Sequence, residues 1–323
     1  MGTELRDNRG LIFGCRVQQE GSALEIALTP ALTSTDEVSG VWLHFNLNDA
    51  RARGWISGCS WLPEDAREFL VANDDDVGFQ PTGDGHVGAL IDLHADDSDS
   101  FGIMRLYLSS AYLITGRRHP LAATGLLHRD ISRGIPLASS AALFNRLLAH
   151  LVGGFDRTVN NDASQVDDAE DRVFAGDYQS TKLAQHRREL AQLRRKVLAN
   201  RHAIDELAAS PPRDWNKPLV KELRQTARAL TGVAQDLELV EERARLLGEE
   251  INTNLAERTN RNIYFVSMAA VLFLPITLIS GIFGMNVAGL PWLDDSRGFL
   301  WTILCMAGAV GLTLALMRWR RLL

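Results

Sequence analysis

The sequence predicts an α/β domain that hands over to a long stalk helix and then to two membrane-crossing helices. Three observations predict this class. Short apolar runs of strand length alternate with turn signals as far as about residue 115. From Asn216, a helix-compatible stretch meets no proline beyond its first turn until Pro275. Two apolar segments, residues 263–283 and 298–317, contain no charged side chain, and each is long enough at 1.5 Å per residue to cross a hydrocarbon core of roughly 30 Å.

The elements follow in order. Residues 11–17, 23–28, 41–47, 87–93, 103–108 and 111–115 have strand length and composition. Between the third and fourth run, residues 50–57 and 63–72 read as helices. The second opens on Pro63 with Glu64 and Asp65 behind it, which suits a helix N-terminus. Hairpin-like neighbours beside helices predict a mixed sheet. Residues 120–133 and 139–151 read as two helices closing a domain over 1–155, and Gly153-Gly154 as a hinge behind it. A helical segment over 156–212 follows, with apolar residues Leu183, Leu190, Leu193, Val197, Ile204 and Leu207 at helical spacing across 161–209. Pro211-Pro212 reverses the chain into the stalk, assigned to 213–283 together with the first span. Continuous to Phe283, that helix would extend about 100 Å. Residues 284–297 form an outer loop too short to hold a domain, 298–317 the second span and 318–323 a basic tail.

Overall composition conceals this layout. With 46% hydrophobic and 23% charged residues and a net charge of −6, the totals resemble those of a soluble protein, and only their distribution shows the spans. The acidic balance with no concentrated basic face argues against nucleic acid as a partner. The first residues show no apolar core of a secretory signal, so the large N-terminal part is expected in the cytoplasm. Cys15, Cys59 and Cys305 stand alone, in neither a disulfide framework nor thiolate zinc spacing. Arg258 and Arg261 precede the first span and Arg318, Arg320 and Arg321 follow the second, whereas the loop carries Asp294, Asp295 and Arg297. The positive-inside rule therefore expects both termini in the cytoplasm.

The stalk carries an unusual face. Leu246, Thr253, Asn260, Ser267, Leu274 and Gly281 recur at sevens, interleaved with Glu249, Ala256, Ile263, Ala270, Thr277 and Gly284. Two rows at heptad spacing form one stripe, the pattern of a helix packed about an axis with copies of itself. A small, polar stripe serves either close packing in lipid or the lining of a wet path. Two helices per chain cannot enclose water between them, so conduction requires a closed oligomer. Neither span contains Asp, Glu, His, Lys or Arg, so neither a proton relay of such side chains nor a carboxylate cage for a bare divalent ion is available there. A hydrated ion is the cargo such a lining suits. Asn286, just past the span, offers a carboxamide to a hydration shell, while Glu249, Asp294 and Asp295 would raise the local cation concentration.

A first span with an internal proline that closes in Gly284-Met285-Asn286, followed by a short loop and one further span, resembles the CorA superfamily of divalent-metal transporters. The likeness of architecture covers nearly the whole chain. The continuation Val287-Ala288-Gly289-Leu290-Pro291-Trp292, and Val41 through Asp49, resemble its zinc-transporting ZntB branch; the acidic loop segment usual in the magnesium and cobalt branch is missing, and Ala288 stands where that branch is expected to have glycine. The resemblance implies a homopentameric funnel in a bacterial-type inner membrane, Gly284, Met285 and Asn286 as selectivity filter, no resident cofactor, and zinc uptake, with proton coupling proposed for that branch. Asn260, Ile263, Ser267, Ala270, Leu274, Thr277 and Gly281 are the pore-lining candidates.

Other readings compete. His86 and His94, with Asp92, Asp96, Asp97 and Asp99, would make a cytoplasmic metal sensor, but the spacing matches no closed zinc site and fits a solvated acidic loop. Asp74, Asp75 and Asp76 read as a turn, His44 as a core histidine, and Asp167, Asp168, Glu170 and Asp171 as a charged helix start, though placed where a funnel mouth is conceivable. A membrane-anchored scaffold needs neither the Gly-Met-Asn ending nor the polar stripe. No phosphate loop, nucleophile elbow or metal-hydrolase spacing argues for an enzyme.

Overall fold

The protein is described from a computed structural model, for residues 10–17, 23–26, 40–74, 76–97, 100–176, 181–285, 287, 289–292 and 295–320. Two compact units divide it, Met1–Gly248 and Glu249–Leu323.

The N-terminal unit is built on a mixed seven-stranded sheet. Its strands are β1 (Leu11–Val17), β2 (Ala23–Glu25), β3 (Val41–Asn46), β4 (Gly78–Thr82), β5 (Gly85–Leu93), β6 (Phe101–Leu108) and β7 (Tyr112–Arg117), in the order β2-β1-β3-β7-β6-β5-β4. β3 and β7 run parallel and every other pair is antiparallel. β4 is the strand the sequence pattern does not reveal, because Pro81 reads as a breaker. It lies at the sheet edge, where the missing N–H is tolerated. β2 ends at Glu25 rather than continuing as an apolar strand, and residues 27 and 28 of that expectation lie outside the described residues.

β3 is buried on both faces. Val41, Leu43 and Phe45 join a core with Ala52 and Ile56 of α1 (Ala50–Ser57) and Ala66 and Leu70 of α2 (Glu64–Val71). The opposite face holds polar atoms that must find partners, since an unmatched buried donor costs about 1–3 kcal/mol. The Trp42 indole donates to Thr115 Oγ1 at 2.9 Å, and His44 Nδ1 meets the same hydroxyl at 2.7 Å. Arg117 Nε donates to His44 Nε2 at 3.0 Å, so the imidazole is neutral with its proton on Nδ1. Burial, then the Arg117 and His128 charges, hold its pKa well below the usual range. His44 is thus a satisfied core histidine, as its aromatic strand context predicts.

The hinge expected at Gly153-Gly154 is overturned. One 35-residue helix, α4 (Ser140–Phe174), runs straight through the pair. Gly154 is buried, and a Cβ there would stand 3.0 Å from Leu93 Cδ1. The glycine permits close approach to β5, not flexibility. The helix expected over 161–209 is accordingly shared between the end of α4 and α5 (Thr181–Ala209). α3 (Ala122–Ser132) receives its N-terminal support from the sheet, where Asp92 Oδ2 accepts from Ala123 N at 2.8 Å. Asn200 of α5, fully buried, closes the open flank of β5. Its Oδ1 accepts from Ile91 N at 2.9 Å and its Nδ2 donates to Ile91 O at 2.7 Å.

α6 (Lys217–Phe283) is a single helix of 67 residues that begins in the first unit and enters the second. Asn216 starts it by accepting from Leu219 N at 3.0 Å, and Pro218 falls in the first turn, where its absent N–H is not needed. α7 (Gly298–Trp319) is the second apolar helix. Both are long and apolar enough to cross a membrane, and no residue of their apolar windows is buried.

Candidate functional site

The site grows from the face that the last nine turns of α6 leave open. Within the span, the half-buried positions are Met268, Leu272, Pro275, Ile276, Ile279 and Phe283, at spacings of three, four and one that make a single stripe. α7 has a matching half-covered stripe at Thr302, Met306, Ala309, Val310, Thr313 and Met317. The sequence-predicted lining, Asn260, Ile263, Ser267, Ala270, Leu274, Thr277 and Gly281, is exposed at every position. Counting about 100° per residue, its centre stands roughly 200° from the covered stripe of the same helix. The small neutral row therefore occupies the side of α6 turned away from the covered one.

Local chemistry along this row is weakly polar. The Thr277 hydroxyl donates to Phe273 O at 2.9 Å and keeps its oxygen lone pairs as acceptors. Pro275 supplies no N–H for the Val271 carbonyl. A Cβ added at Gly281 would meet nothing within 4 Å, so that position is a gap in the face. At Gly284 an added Cβ would stand 3.1 Å from Ser280 O. Gly284 N donates to Ser280 O at 2.9 Å and Met285 N to Ile282 O at 3.3 Å, tightening the last turn. Met285 is half exposed. Asn286 and Asp294 lie outside the described residues.

The loop has a build of its own that sequence reasoning did not find. Phe283, Trp292 and Trp301 stack with centroids 6.3 Å apart at each step. Trp292 adopts a φ of 63°, rare for a bulky residue, and a Cβ at Gly298 would stand 2.3 Å from Trp292 O. Glycine is required there. Exposed Asp295 holds this turn: its Oδ1 accepts from Arg297 N at 2.9 Å and its carbonyl from Gly298 N at 2.9 Å. Glu249 is exposed on α6, where its carbonyl accepts from the Thr253 hydroxyl at 2.9 Å.

The other acidic and histidine candidates do not come together. Among the described residues, no group of three or more His, Cys, Asp or Glu is placed to hold a metal ion. Asp92 supports α3 instead, and burial pushes its carboxyl up to about 7 against the opposing pull of the Ala123 and Leu93 N–H groups. His94 stacks on His119 at 5.2 Å, while Asp97 accepts from the Ser100 hydroxyl at 2.5 Å. Asp99 lies outside the described residues, as does Asp75. Asp74 pairs with the buried Arg105, whose Nη1 also donates to Phe69 O at 2.7 Å. Asp167 and Glu170, in the last turns of α4 rather than at a helix start, clasp Arg243 of α6 at 2.5 and 2.8 Å. Burial pushes the Cys15 and Cys59 thiols up to about 12 and about 11, which makes them poor zinc ligands.

The chain is 26% identical over 316 residues to the divalent cation transporter CmaX of Pseudomonas aeruginosa, covering 95% of each chain. It is 24% identical over 286 residues to the zinc transport protein ZntB of Yersinia enterocolitica, covering 87% of each. Its fold matches the structure of full-length CmaX with a TM-score of 0.84 at 23% identity, over 98% of this chain and 100% of that one. It also matches the complete CorA magnesium transporter of Methanocaldococcus jannaschii with a TM-score of 0.80 at 15% identity, over 95% and 96% of the two chains. The latter two likenesses speak for the fold: a mixed-sheet unit, a stalk helix and a further apolar helix. With residues 38–320 matching the sequence model of the family described as CorA-like Mg2+ transporter protein, the chain belongs to that family.

Proposed function

We propose that this chain is a divalent-cation transporter of a bacterial-type inner membrane, with both termini cytoplasmic, acting as a homopentamer whose α6 helices surround the axis. The cation passes with most of its hydration shell, along Asn260, Ile263, Ser267, Ala270, Leu274, Thr277 and Gly281 and through a filter of Gly284, Met285 and Asn286. The observation that carries this reading is the neutral row, exposed along its whole length on the side of α6 opposite the covered stripe. Stripping water from a small divalent ion is costly, and neutral Ser, Thr and Asn groups replace it poorly. A lining without carboxylates suits an ion that keeps its water. Glu249, Asp294 and Asp295 act by concentrating cations. No resident cofactor takes part; the metal is the cargo.

Zinc is the favoured cargo, because the loop from Val287 to Trp292 has the ZntB-like form and a relative bearing the name zinc transport protein ZntB spans 87% of the chain. Magnesium or cobalt is the second reading, favoured by the family to which the chain belongs. Uptake competition among these ions separates the two. The membrane potential supplies about 2.3 kcal/mol per charge per 100 mV, hence about 4.6 kcal/mol for a divalent ion. With no Asp, Glu, His, Lys or Arg in either span, flux follows voltage without an inward proton gradient.

The deciding experiment is Asn286→Ala in the full chain, reconstituted in liposomes. Metal flux falls sharply or loses its ion preference while expression and oligomer size stay unchanged. Normal flux and preference in that variant would overturn the filter.

A further inference from the structure

The first three turns of α6 carry a one-sided row of cations. Lys217, Lys221, Arg224 and Arg228 recur at spacings of four, three and four, which puts them on one helix face. With Trp215, Val220 and Gln225 they line a cleft of about 580 Å3, and no carboxylate shares the lining. A second groove, between α5 and α6, shows what a balanced surface looks like here. There Arg187, Arg188, Arg194 and Arg245 lie among Glu238, Glu241 and Glu242, and Arg194 reaches Glu241 at 3.3 Å and Glu238 at 3.7 Å.

The cationic row has no such partners. Among the described residues, Lys217, Lys221 and Arg228 make no ion pair, and Arg224 reaches only the Ala208 carbonyl, at 3.5 Å. Glu222, in the same stretch, lies 3.3 Å from Asn145 Nδ2 instead. Folding does not need the row, since the buried side of these turns is Leu223, Ala227 and Leu230. Like charges at these spacings repel one another. Retaining four of them together, in a chain of net charge −6, points to an anion from outside.

The row extends about 16 Å along the axis, too far for a small monoanion to engage all four groups. Arg224 and Arg228 present planar forks that match pairs of phosphate oxygens, and the lysines add point charges. We propose that this cleft binds a soluble multivalent phosphate of the nucleoside-triphosphate class, its phosphate chain lying along Lys217, Lys221, Arg224 and Arg228. The inference does not depend on which cation the protein transports.

The test is calorimetric titration of the full-length protein in detergent with inorganic tripolyphosphate, with ATP and with citrate. ATP and tripolyphosphate bind once per chain, and citrate binds about tenfold more weakly because it lacks the phosphate geometry. Lys221→Gln combined with Arg228→Gln weakens both phosphates by about tenfold or more, whereas Lys221→Arg, and Arg133→Gln elsewhere on the surface, leave them unchanged. Equal binding of citrate, or phosphate binding by the double variant at the parent affinity, overturns the site. So does a change in oligomer size in that variant with no heat from either phosphate, which would make the row a contact between copies. Should the double variant fail to fold, Lys217→Gln decides, with an expected loss of about threefold.

Discussion

In the N-terminal unit, several polar groups buried around the sheet are matched by partners inside the same chain. Trp42 and His44 share Thr115, Asn200 satisfies both backbone groups of Ile91, and Arg105 holds the Phe69 carbonyl and Asp74. In the apolar windows of α6 and α7 no residue is buried, and the neutral row of α6 lies on its exposed side. The difference teaches where each unit finds its stability. The first buries a hydrophobic core within one chain. The second leaves a broad apolar surface open, of the kind that lipid or other protein helices cover. The buried polar residues named here are therefore structural, whereas the neutral row along the apolar part of α6 stays exposed.

The largest effect that tests this contrast is Phe45→Ala. Phe45 is fully buried against Trp55, with centroids 5.2 Å apart, and its truncation costs about 3–5 kcal/mol of stability. Phe273→Ala removes the same ring from a site 63% exposed and changes unfolding by no more than about 0.5 kcal/mol. Urea unfolding of the full chain in mild detergent, followed by tryptophan fluorescence, reads both. Comparable losses in the two variants would break the contrast.

Next in size is Asn200→Ala. It orphans the Ile91 N–H and C=O, each worth about 1–3 kcal/mol when buried and unmatched. Its counterpart is Thr277→Val, which removes a hydroxyl from the exposed row without changing its shape. That variant leaves unfolding unaltered and lowers metal flux. A flux loss from Asn200→Ala at full folding, or a stability loss from Thr277→Val, would assign the two residues to the wrong sides.

How much of this was legible in the sequence follows from the same contrast. Strand periodicity, the Pro211-Pro212 break and the charge-free spans announce themselves because each is written in consecutive residues. β4 leaves no clear strand signal because Pro81 reads as a breaker until its edge position is known. A hinge at Gly153-Gly154 is the natural reading of a glycine pair, and only the approach of Leu93 to Gly154 gives the pair its other use. Asn200 and Ile91 stand 109 residues apart, so no local pattern links them. The α6 row was readable as a heptad repeat, and the structure adds which side of the helix it occupies. The Trp292 turn depends on a positive φ and on contact with Gly298, neither of which leaves a periodic trace.

Two buried carboxylates sharpen the account of the N-terminal unit through pH. Burial alone would raise the Asp130 pKa, but hydrogen bonds from Arg146 and His150, both at 2.6 Å, outweigh it and leave the carboxyl below its usual value. A depressed folded pKa gives stability that is full above the unfolded value of about 3.9 and is lost as pH falls through the folded one. Asp92 has the opposite sign, because burial pushes its carboxyl up to about 7. Between about pH 4 and 7 the unfolded chain releases that proton while the folded one retains it, so stability declines as pH rises. Asp130→Asn flattens the acid limb and Asp92→Asn the neutral one, as read by thermal unfolding across pH. An unaltered neutral limb in Asp92→Asn would mean that Asp92 is ionised in its site.

The smallest effect concerns a charge that acts without contact. Asp295 holds the outer turn through Oδ1 and its carbonyl, and asparagine keeps both acceptors, so Asp295→Asn removes the charge while sparing the turn. If the loop gathers cations at the mouth, initial uptake falls about twofold at low ionic strength, where the Debye length is about 30 Å. At about 1 M salt that length shrinks to about 3 Å and the two proteins become equal. A deficit that persists at high salt would mean that Asp295 binds the ion or shapes the filter directly. The charges of the C-terminal unit would then work by contact, as those of the N-terminal unit do.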